Sequence, residues 1–149
     1  MPRVDPKHFS PYKAKSVERV DRIIDANFNR AKEGLRVCED VCRFILDAKS
    51  MTRGYKAVRH QLTDIIGSLK IAQVIRAREI TKDVGRDSTA VEFKRNGVID
   101  IYYANSQRVK ESVRVLEEFT KLRNKHLAED LKKLRYKIYA LEKNVLKRC

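Results

Sequence analysis

Proline and glycine are scarce in this chain of 149 residues, and long apolar runs are missing from it. The three prolines all precede residue 12, and only five glycines occur in the whole sequence. Because both residue types disfavour helix interiors, their scarcity favours helices over strands beyond the N-terminal segment. No stretch approaches the roughly 20 apolar residues of a membrane span, and the N-terminus lacks an apolar signal core. We therefore expect a helical, cytoplasmic protein without a membrane segment.

Acidic residues are too few to balance the basic ones. The sequence has 34 lysines and arginines against 20 aspartates and glutamates, a formal net charge of +14. A surplus of this size predicts anionic partners such as nucleotides, phosphorylated metabolites, nucleic acid or acidic lipid. Cysteines are also few. Cys38 and Cys42 lie one helical turn apart among apolar residues with no histidine nearby, so we interpret them as reduced core thiols.

Hydrophobic periodicity predicts one all-α domain at residues 16–149, after a flexible basic tail at residues 1–15. We expect a helical bundle of about five helices. The last helix carries an apolar stripe at spacings of three and four residues. The segment 79–96 lacks such periodicity and is long for a connection, so we predict a functional loop there. From apolar spacing and cap residues, the helices are placed at 16–47, 52–66, 68–78, 98–122 and 125–147.

An internal repeat is the most informative feature of the sequence. Residues 26–40 return as residues 104–118 with the shared pattern A-N-x-x-R-x-K-E-x-x-R-V-x-E-[DE]. The polar letters are kept while the apolar ones drift, which is unlike a repeat kept only to fill a core. We predict that the two repeat helices pack against each other about a pseudo-twofold axis.

A helical projection of the repeat predicts that polar side chains point inward. At about 100° per residue, Asn27 and Arg30 fall inside the apolar arc of the first copy. Asn105 and Arg108 do the same in the second copy, so we expect these four side chains to share one pocket. The shoulder of the arc holds the carboxylates of Glu33, Asp40, Glu111 and Glu118.

Two interpretations of these arginines stay open. A buried cation is costly unless it is paired. One interpretation is structural, with ion pairs such as Arg30 to Glu33 locking the bundle. The other is functional, with an anionic ligand neutralising the arginines. The two have about equal weight on the sequence alone.

Nucleotide chemistry would need an unusual scaffold here. The chain has no G-x-x-x-x-G-K-[ST] phosphate loop and no strand followed by a glycine-rich turn, which excludes Walker-type and Rossmann sites. Phosphoryl transfer still needs only positioned cations, carboxylate-held Mg²⁺ and an oriented acceptor. The 79–96 loop offers Gly85 for close backbone approach to a phosphate, with Asp83 and Asp87 to hold a cation.

Several of these motifs together resemble a known family. They are residues 23–40, Arg43-Phe44, Arg59-His60, Ala77-Arg78, Asp83-Val84-Gly85, the second repeat and residues 134–142. The pattern resembles the small hydroxymethylpyrimidine-phosphate kinase domain of bacterial thiamine biosynthesis, which occurs alone or fused ahead of thiamine-phosphate synthase. The resemblance spans roughly residue 20 to the end. The family's usual arginine-aspartate pair appears here as Arg78-Glu79.

The resemblance implies ATP-dependent phosphorylation of 4-amino-5-hydroxymethyl-2-methylpyrimidine phosphate to the diphosphate, with ATP and Mg²⁺ as cofactors. The length of the chain predicts the standalone form. Thiamine-phosphate synthase is an expected partner, a homo-oligomer stays open, and nucleic acid is not expected. The alternative is a helical module that binds nucleic acid or a protein through the basic face of the last helix, without catalysis. The inward direction of Arg30 and Arg108 favours the enzyme.

Roles for individual residues follow from the chemistry of their side chains. We predict a catalytic group, a larger group that binds substrate or phosphate, and two metal ligands. The catalytic group is Arg30, Glu33, Arg108 and Glu111; the binding group is Asn27, Arg36, Asp40, Arg59, His60, Arg76, Arg78, Gly85, Asn105 and Arg114; the Mg²⁺ ligands are Asp83 and Asp87.

Overall fold

The structure is a computed structural model that describes residues 13–70, 81, 83–85 and 95–149. Within these ranges the chain forms four α-helices and one π-helical turn, and no strand. The all-α prediction is therefore confirmed. The helices are α1 (Lys13–Asp40), α2 (Lys49–Gly67), α3 (Val98–Thr120) and α4 (Lys125–Leu146), and the π-helical turn Val41–Ile45 continues α1.

The ends of the first helix differ from the prediction. Helix α1 begins at Lys13, inside the predicted tail, and its regular part ends at Asp40 rather than at residue 47. The N–H of Leu46 donates to the carbonyl of Val41 at 3.1 Å, which is the wider i to i+5 ring of a π-helix. Asp47 then takes a left-handed backbone conformation, with φ of 48°, and turns the chain toward α2.

The predicted third helix is only partly covered by the structure. Residues Ser68 to Lys70 form a turn after α2, and Lys70 has a φ of 62°. The rest of that prediction, together with most of the predicted 79–96 loop, lies outside the described residues. Helices α2, α3 and α4 end within three residues of their predicted bounds.

Helices α1 and α3 form the central contact of the bundle and run antiparallel. Arg123, just after α3, donates to the carboxylate of Asp21 near the start of α1. Toward the other end, the thiol of Cys38 lies 3.9 Å from the carbonyl oxygen of Tyr102. Helix α2 packs on α1, helix α4 packs on α3, and α2 and α4 also touch. The two hairpins α1–α2 and α3–α4 are thus related by a pseudo-twofold axis, as the repeat predicted.

The repeat extends beyond the two central helices into α2 and α4. When Arg59 of α2 is matched with Arg135 of α4, the apolar residues of α2 fall on buried residues of α4. The whole hairpin is therefore duplicated, although the sequence signal in its second helix is weak. The matched buried pairs are Tyr55 with Leu131, Val58 with Leu134, Leu62 with Ile138, Ile66 with Glu142 and Leu69 with Val145.

The core at the middle of the bundle contains a polar contact. The hydroxyls of Tyr55 and Tyr102 lie 2.5 Å apart, and both side chains are buried. Burial raises the pKa of both phenols, so they stay neutral and share one hydrogen bond. Burial likewise raises the pKa of the Cys38 thiol to about 12 and that of Cys42 to about 11. Both thiols are free, which agrees with their interpretation as core residues.

Candidate functional site

Two buried carboxylates hold equivalent places in the two hairpins. Glu39 and Glu117 are each 3% exposed. The Nε of Arg59 donates to Glu39 Oε2 at 2.9 Å, and the Nε of Arg135 donates to Glu117 Oε2 at the same distance. The hydrogen bond from Arg135 to Glu117 raises the pKa of that guanidinium. Each pair fastens the two helices of its hairpin together.

Four further charged residues of the repeat extend this network at the surface. Arg36 lies 3.7 Å from Glu39 and 3.8 Å from Asp40. Arg114 lies 3.0 Å from Glu117 and 3.1 Å from Glu118. Conservation of these letters between the two copies is therefore explained by ion pairs within each hairpin.

The predicted inward orientation of Arg30 and Arg108 is wrong. Both side chains are exposed, as are Glu33 and Glu111. The structure describes no ion pair between Arg30 and Glu33, so the pair named in the structural interpretation does not form. The buried face of α1 is centred on Ile24, Ala31, Leu35 and Cys38, and Arg30 lies about 110° away from that centre.

The single shared pocket predicted for the two copies is also wrong. Because α1 and α3 are antiparallel and cross near their middles, equivalent residues on either side of the crossing lie at opposite ends. Asn27 and Asn105 are therefore separated by about ten residues along the helix axis, or about 15 Å. Both amides instead make a local bond, in which Nδ2 donates to the carbonyl four residues earlier, at 2.9 Å for Asn27 and 2.8 Å for Asn105.

The N-terminal half of α1 lines a groove of about 720 Å³, which we call the α1 groove. Its charged lining consists of Arg19, Arg22, Arg30, Asp25, Glu33 and Asp83. The three arginines form no ion pair with another residue that the structure describes. The groove therefore presents cationic groups that are available to an anion, with carboxylates beside them.

Amide groups add polar contacts to the α1 groove. Asn27 and Asn29 both line it. Asn29 Nδ2 donates to the carbonyl oxygen of Asp25 at 3.0 Å, which fixes that amide against the helix. The amide oxygen of Asn27 accepts no hydrogen bond from another described residue, so it can accept one from a ligand N–H or O–H.

A second groove, of about 540 Å³, continues along the C-terminal half of α1. It is lined by Lys32, Glu33, Arg36, Asp40 and Arg59. Glu33 belongs to both grooves, so the two form one polar strip along α1.

The predicted site residues thus divide into three sets. The first copy contributes to the strip along α1, whereas the second copy and the exposed His60 line neither of these grooves. Arg76, Arg78 and Asp87 lie outside the described residues. On the strip are Asn27, Arg30, Glu33, Arg36, Asp40, Arg59 and Asp83; away from it are His60, Asn105, Arg108, Glu111 and Arg114.

Gly85 has no special backbone role in the structure. The glycines with described backbones all have ordinary, non-positive φ values. The N–H of Gly85 donates to Asp83 Oδ1 at 3.0 Å, and a Cβ at position 85 would lie 3.6 Å from the same oxygen, an ordinary contact. The predicted need for glycine at this position is therefore not supported. Asp83, two residues earlier, lines the α1 groove beside the first repeat.

Sequence reasoning missed four polar residues of the α1 groove and the buried Glu39 and Glu117. The four groove residues precede or interrupt the repeat. Arg22 and Arg19 could have been found from Arg30 by backward steps of four, four and three residues, and Asn29 and Asp25 from Glu33 by two steps of four.

The described residues form neither a protein-built metal site nor a membrane segment. No three His, Cys, Asp or Glu side chains come together there in a way that could hold a metal ion. Asp83, a predicted Mg²⁺ ligand, and Glu33 are two carboxylates on the α1 groove. Two carboxylates suit Mg²⁺ only when phosphate oxygens complete its coordination shell. None of the described helices is long and apolar enough to cross a membrane.

The fold and the grooves define a small all-α domain, built from a duplicated helical hairpin with a strip of charged and amide side chains along its first helix. The model of the ThiD2 family matches residues 22–144, and the chain belongs to that family. Its similar curated proteins include thiamine-phosphate synthases from Synechocystis (41% identical over 128 residues), Nostoc punctiforme (37% over 128) and Rhodopirellula baltica (38% over 120).

These alignments cover most of the chain but only part of each relative. They include 85% of this chain and 36% of the Synechocystis protein, 85% and 35% for Nostoc punctiforme, and 80% and 32% for Rhodopirellula baltica. The chain therefore spans about a third of the length of the curated relatives it matches. No solved structure matches the chain.

Proposed function

We propose that this chain acts in thiamine biosynthesis as a hydroxymethylpyrimidine-phosphate kinase. In this reaction an oxygen of 4-amino-5-hydroxymethyl-2-methylpyrimidine phosphate attacks the γ-phosphorus of ATP. The bond from that phosphorus to the bridging oxygen of ADP breaks, and the products are the pyrimidine diphosphate and ADP. Family membership and the thiamine-phosphate synthase relatives support the pathway, and the resemblance described above supports the reaction.

One observation carries the proposal: the α1 groove combines three available arginines with carboxylates and an amide on the first repeat helix. Both reactants of this kinase are phosphate anions, so their approach is opposed by charge repulsion. Catalysis of phosphoryl transfer consists mainly of positioning and of neutralising such charge. Arginines suit this role because the guanidinium stays charged and binds two phosphate oxygens at once.

The other groups of the groove can bind the pyrimidine and the nucleotide. The amide oxygen of Asn27 can accept a hydrogen bond from the exocyclic amino group of the substrate. Glu33 and Asp83 would hold Mg²⁺ together with phosphate oxygens, and the ion would neutralise charge on the nucleotide. Arg59 is engaged by the buried Glu39 and holds α2 against α1 rather than binding ligand, whereas Arg36 is half exposed on the same helix as Glu39 and can still contact a phosphate.

The argument against the alternative, a nucleic-acid module, no longer holds in its predicted form, because Arg30 and Arg108 are both exposed and do not point inward. The two proposals differ in where the ligand binds. The kinase uses the α1 groove, where Glu33 and Asp83 stand among the arginines and suit Mg²⁺, whereas the module uses the basic face of α4.

The proposal is tested by incubating the protein with ATP, Mg²⁺ and the pyrimidine monophosphate, and following the products by ³¹P NMR. We expect the diphosphate resonances of the pyrimidine product to appear together with ADP, in equal amounts. Formation of ADP alone would indicate an ATPase, and unchanged reactants in the presence of folded protein would contradict the proposal.

A further inference from the structure

A third groove, of about 420 Å³, lies at the corner between α1 and α2, and we call it the corner groove. Four cationic side chains line it: Arg43 from the π-helical turn, and Lys49, Arg53 and Lys56 from α2. Within the described part of the chain, none of the four forms an ion pair. Two carboxylates also line the groove: that of Glu39 is bound by Arg59 at 2.9 Å, and that of Asp47 forms no ion pair with any of the four cations.

The second hairpin supplies an internal comparison for this groove. Arg43 corresponds to Lys121, whose ammonium lies 2.8 Å from the carboxylate of Glu118. Arg53 corresponds to Glu129, so a carboxylate replaces a guanidinium at this corner. Of the cations in the first corner, only Lys49 and Lys56 have unpaired lysine counterparts in the second.

The backbone of the two corners also differs. Arg59 follows Glu39 by 20 residues, but Arg135 follows Glu117 by only 18, so the first corner is two residues longer. The extra length is found where the π-helical turn places Arg43 at the groove. At the second corner, Asn124 caps α4 by accepting from the N–H of Leu127 at 3.1 Å, whereas Ala48 at the equivalent position cannot cap α2.

This arrangement is unfavourable for the protein alone. Four like charges around one concavity repel each other, and the Asp47 carboxylate beside them forms no ion pair that would offset this repulsion. The second corner has fewer unpaired cations, because Lys121 is paired with Glu118 and Glu129 is the counterpart of Arg53. An anion with several charges would relieve the repulsion, and each guanidinium or ammonium could then donate to a separate oxygen.

We propose that the corner groove binds a polyphosphate chain, of the kind carried by a nucleoside triphosphate. A triphosphate chain carries about four negative charges at neutral pH, so each of the four cations can contact a phosphate oxygen. The site is separate from the α1 groove and does not depend on the proposed reaction.

The test is a calorimetric titration of the full chain with inorganic tripolyphosphate, with ATP and with orthophosphate, all without Mg²⁺ and at fixed ionic strength. We expect tripolyphosphate to bind at least tenfold more tightly than orthophosphate. If ATP binds with the same affinity as tripolyphosphate, the groove recognises the polyphosphate alone. If ATP binds more tightly, the nucleoside also contributes to binding. Equal affinity for orthophosphate and tripolyphosphate, or no binding of tripolyphosphate, would overturn the inference.

A pair of charge-matched variants locates the site. Arg53→Glu gives the first corner the residue found in the second, and we expect it to weaken tripolyphosphate binding at least tenfold. Lys132→Glu makes the same charge change at the exposed counterpart of Lys56 and should alter binding less than twofold. Equal weakening by both variants would indicate general attraction to a basic protein and would overturn the inference. Arg43→Gln, which keeps the net change to one charge, should also weaken binding if Arg53→Glu disturbs folding.

The outcome is distinguishable from that of the proposed kinase reaction. A protein that binds tripolyphosphate at the corner groove but forms no pyrimidine diphosphate would retain this inference and lose the proposed function. A protein that forms the diphosphate, with the same affinity for tripolyphosphate before and after Arg53→Glu, would retain the function and lose the corner site.

Discussion

The carboxylate of Glu39 and the guanidinium of Arg59 lie 2.9 Å apart and join α1 to α2 where both helices are largely shielded from water. The contact is repeated between Glu117 and Arg135 in the second hairpin. Leaving either the buried carboxylate or the buried guanidinium without its partner strongly lowers the free energy of unfolding. The pair therefore fixes the hairpin geometry on which the strip along α1 depends.

Removing the charge of either buried glutamate should destabilise the protein. We expect Glu39→Gln and Glu117→Gln each to lower the free energy of unfolding by about 3 kcal/mol, because an arginine is left unpaired. Chemical denaturation measures this change. Asp40→Asn is the matched control, since Asp40 is a half-exposed partner of Arg36 and should cost less than about 1 kcal/mol. A loss below about 1 kcal/mol for both glutamate variants would mean that the two ion pairs contribute no more than surface pairs.

Close approach of α1 and α3 depends on the absence of a side chain at position 34. A Cβ on Gly34 would lie 2.6 Å from Val109 Cγ2 and 3.1 Å from the carbonyl oxygen of Asn105. We expect Gly34→Ala to lower the free energy of unfolding by about 1 to 3 kcal/mol through overpacking. Gly67→Ala, at the end of α2, is the control, because a Cβ there meets nothing within 4 Å. Its stability should be unchanged or higher. Equal effects of the two substitutions would contradict the packing.

The two copies of the repeat should differ in their effect on ligand binding. Arg30→Met removes a cation from the α1 groove, so we expect the affinity for the pyrimidine monophosphate to fall about ten- to a hundredfold. Arg108→Met makes the same change at the equivalent exposed position of α3, outside the strip, and should leave the affinity unchanged. Isothermal titration of both variants measures the difference. Similar losses in the two would mean that both copies bind ligand.

The three cysteines should react very differently with a thiol reagent. Cys38 and Cys42 are buried and Cys149 is exposed. Burial raises the pKa of the Cys38 thiol to about 12 and that of Cys42 to about 11, so neither forms much reactive thiolate near neutral pH. We expect one fast equivalent with Ellman's reagent in the native protein and three after denaturation. The native protein of a Cys149→Ser variant should show no fast equivalent; a remaining fast thiol would mean that the core opens.

Much of the fold could be predicted because helical spacing of apolar residues is a local property. Leu131, Leu134 and Ile138 are buried where their periodicity placed them. The end of α1 was harder to predict, since the π-helical turn after Asp40 continues the helix with a different hydrogen-bonding pattern that leaves the apolar spacing almost unchanged.

The candidate site was less predictable because the direction of a helix face depends on its neighbours. Helix α1 packs against both α2 and α3, which centres its buried face near Leu35 and turns Arg30 out to solvent. The sequence does not distinguish Glu39 from the other acidic residues of α1. Its burial is tolerated only because Arg59 on α2 forms an ion pair with it. Likewise, the pseudo-twofold was evident from the repeat, but its perpendicular relation to the central helices, which separates Asn27 from Asn105, was not.

The duplicated hairpin makes the order of the two halves along the chain interchangeable. The twofold axis maps the end of α2 onto the end of α4, and the start of α3 onto the start of α1. The distance from the end of α2 to the start of α3 is therefore similar to the distance from the end of α4 to the start of α1. A circular permutant that begins at residue 95 and rejoins Cys149 to Lys13 through a linker as long as residues 68–97 would thus keep every helix contact. The contacts among the four helices therefore do not depend on which hairpin comes first along the chain.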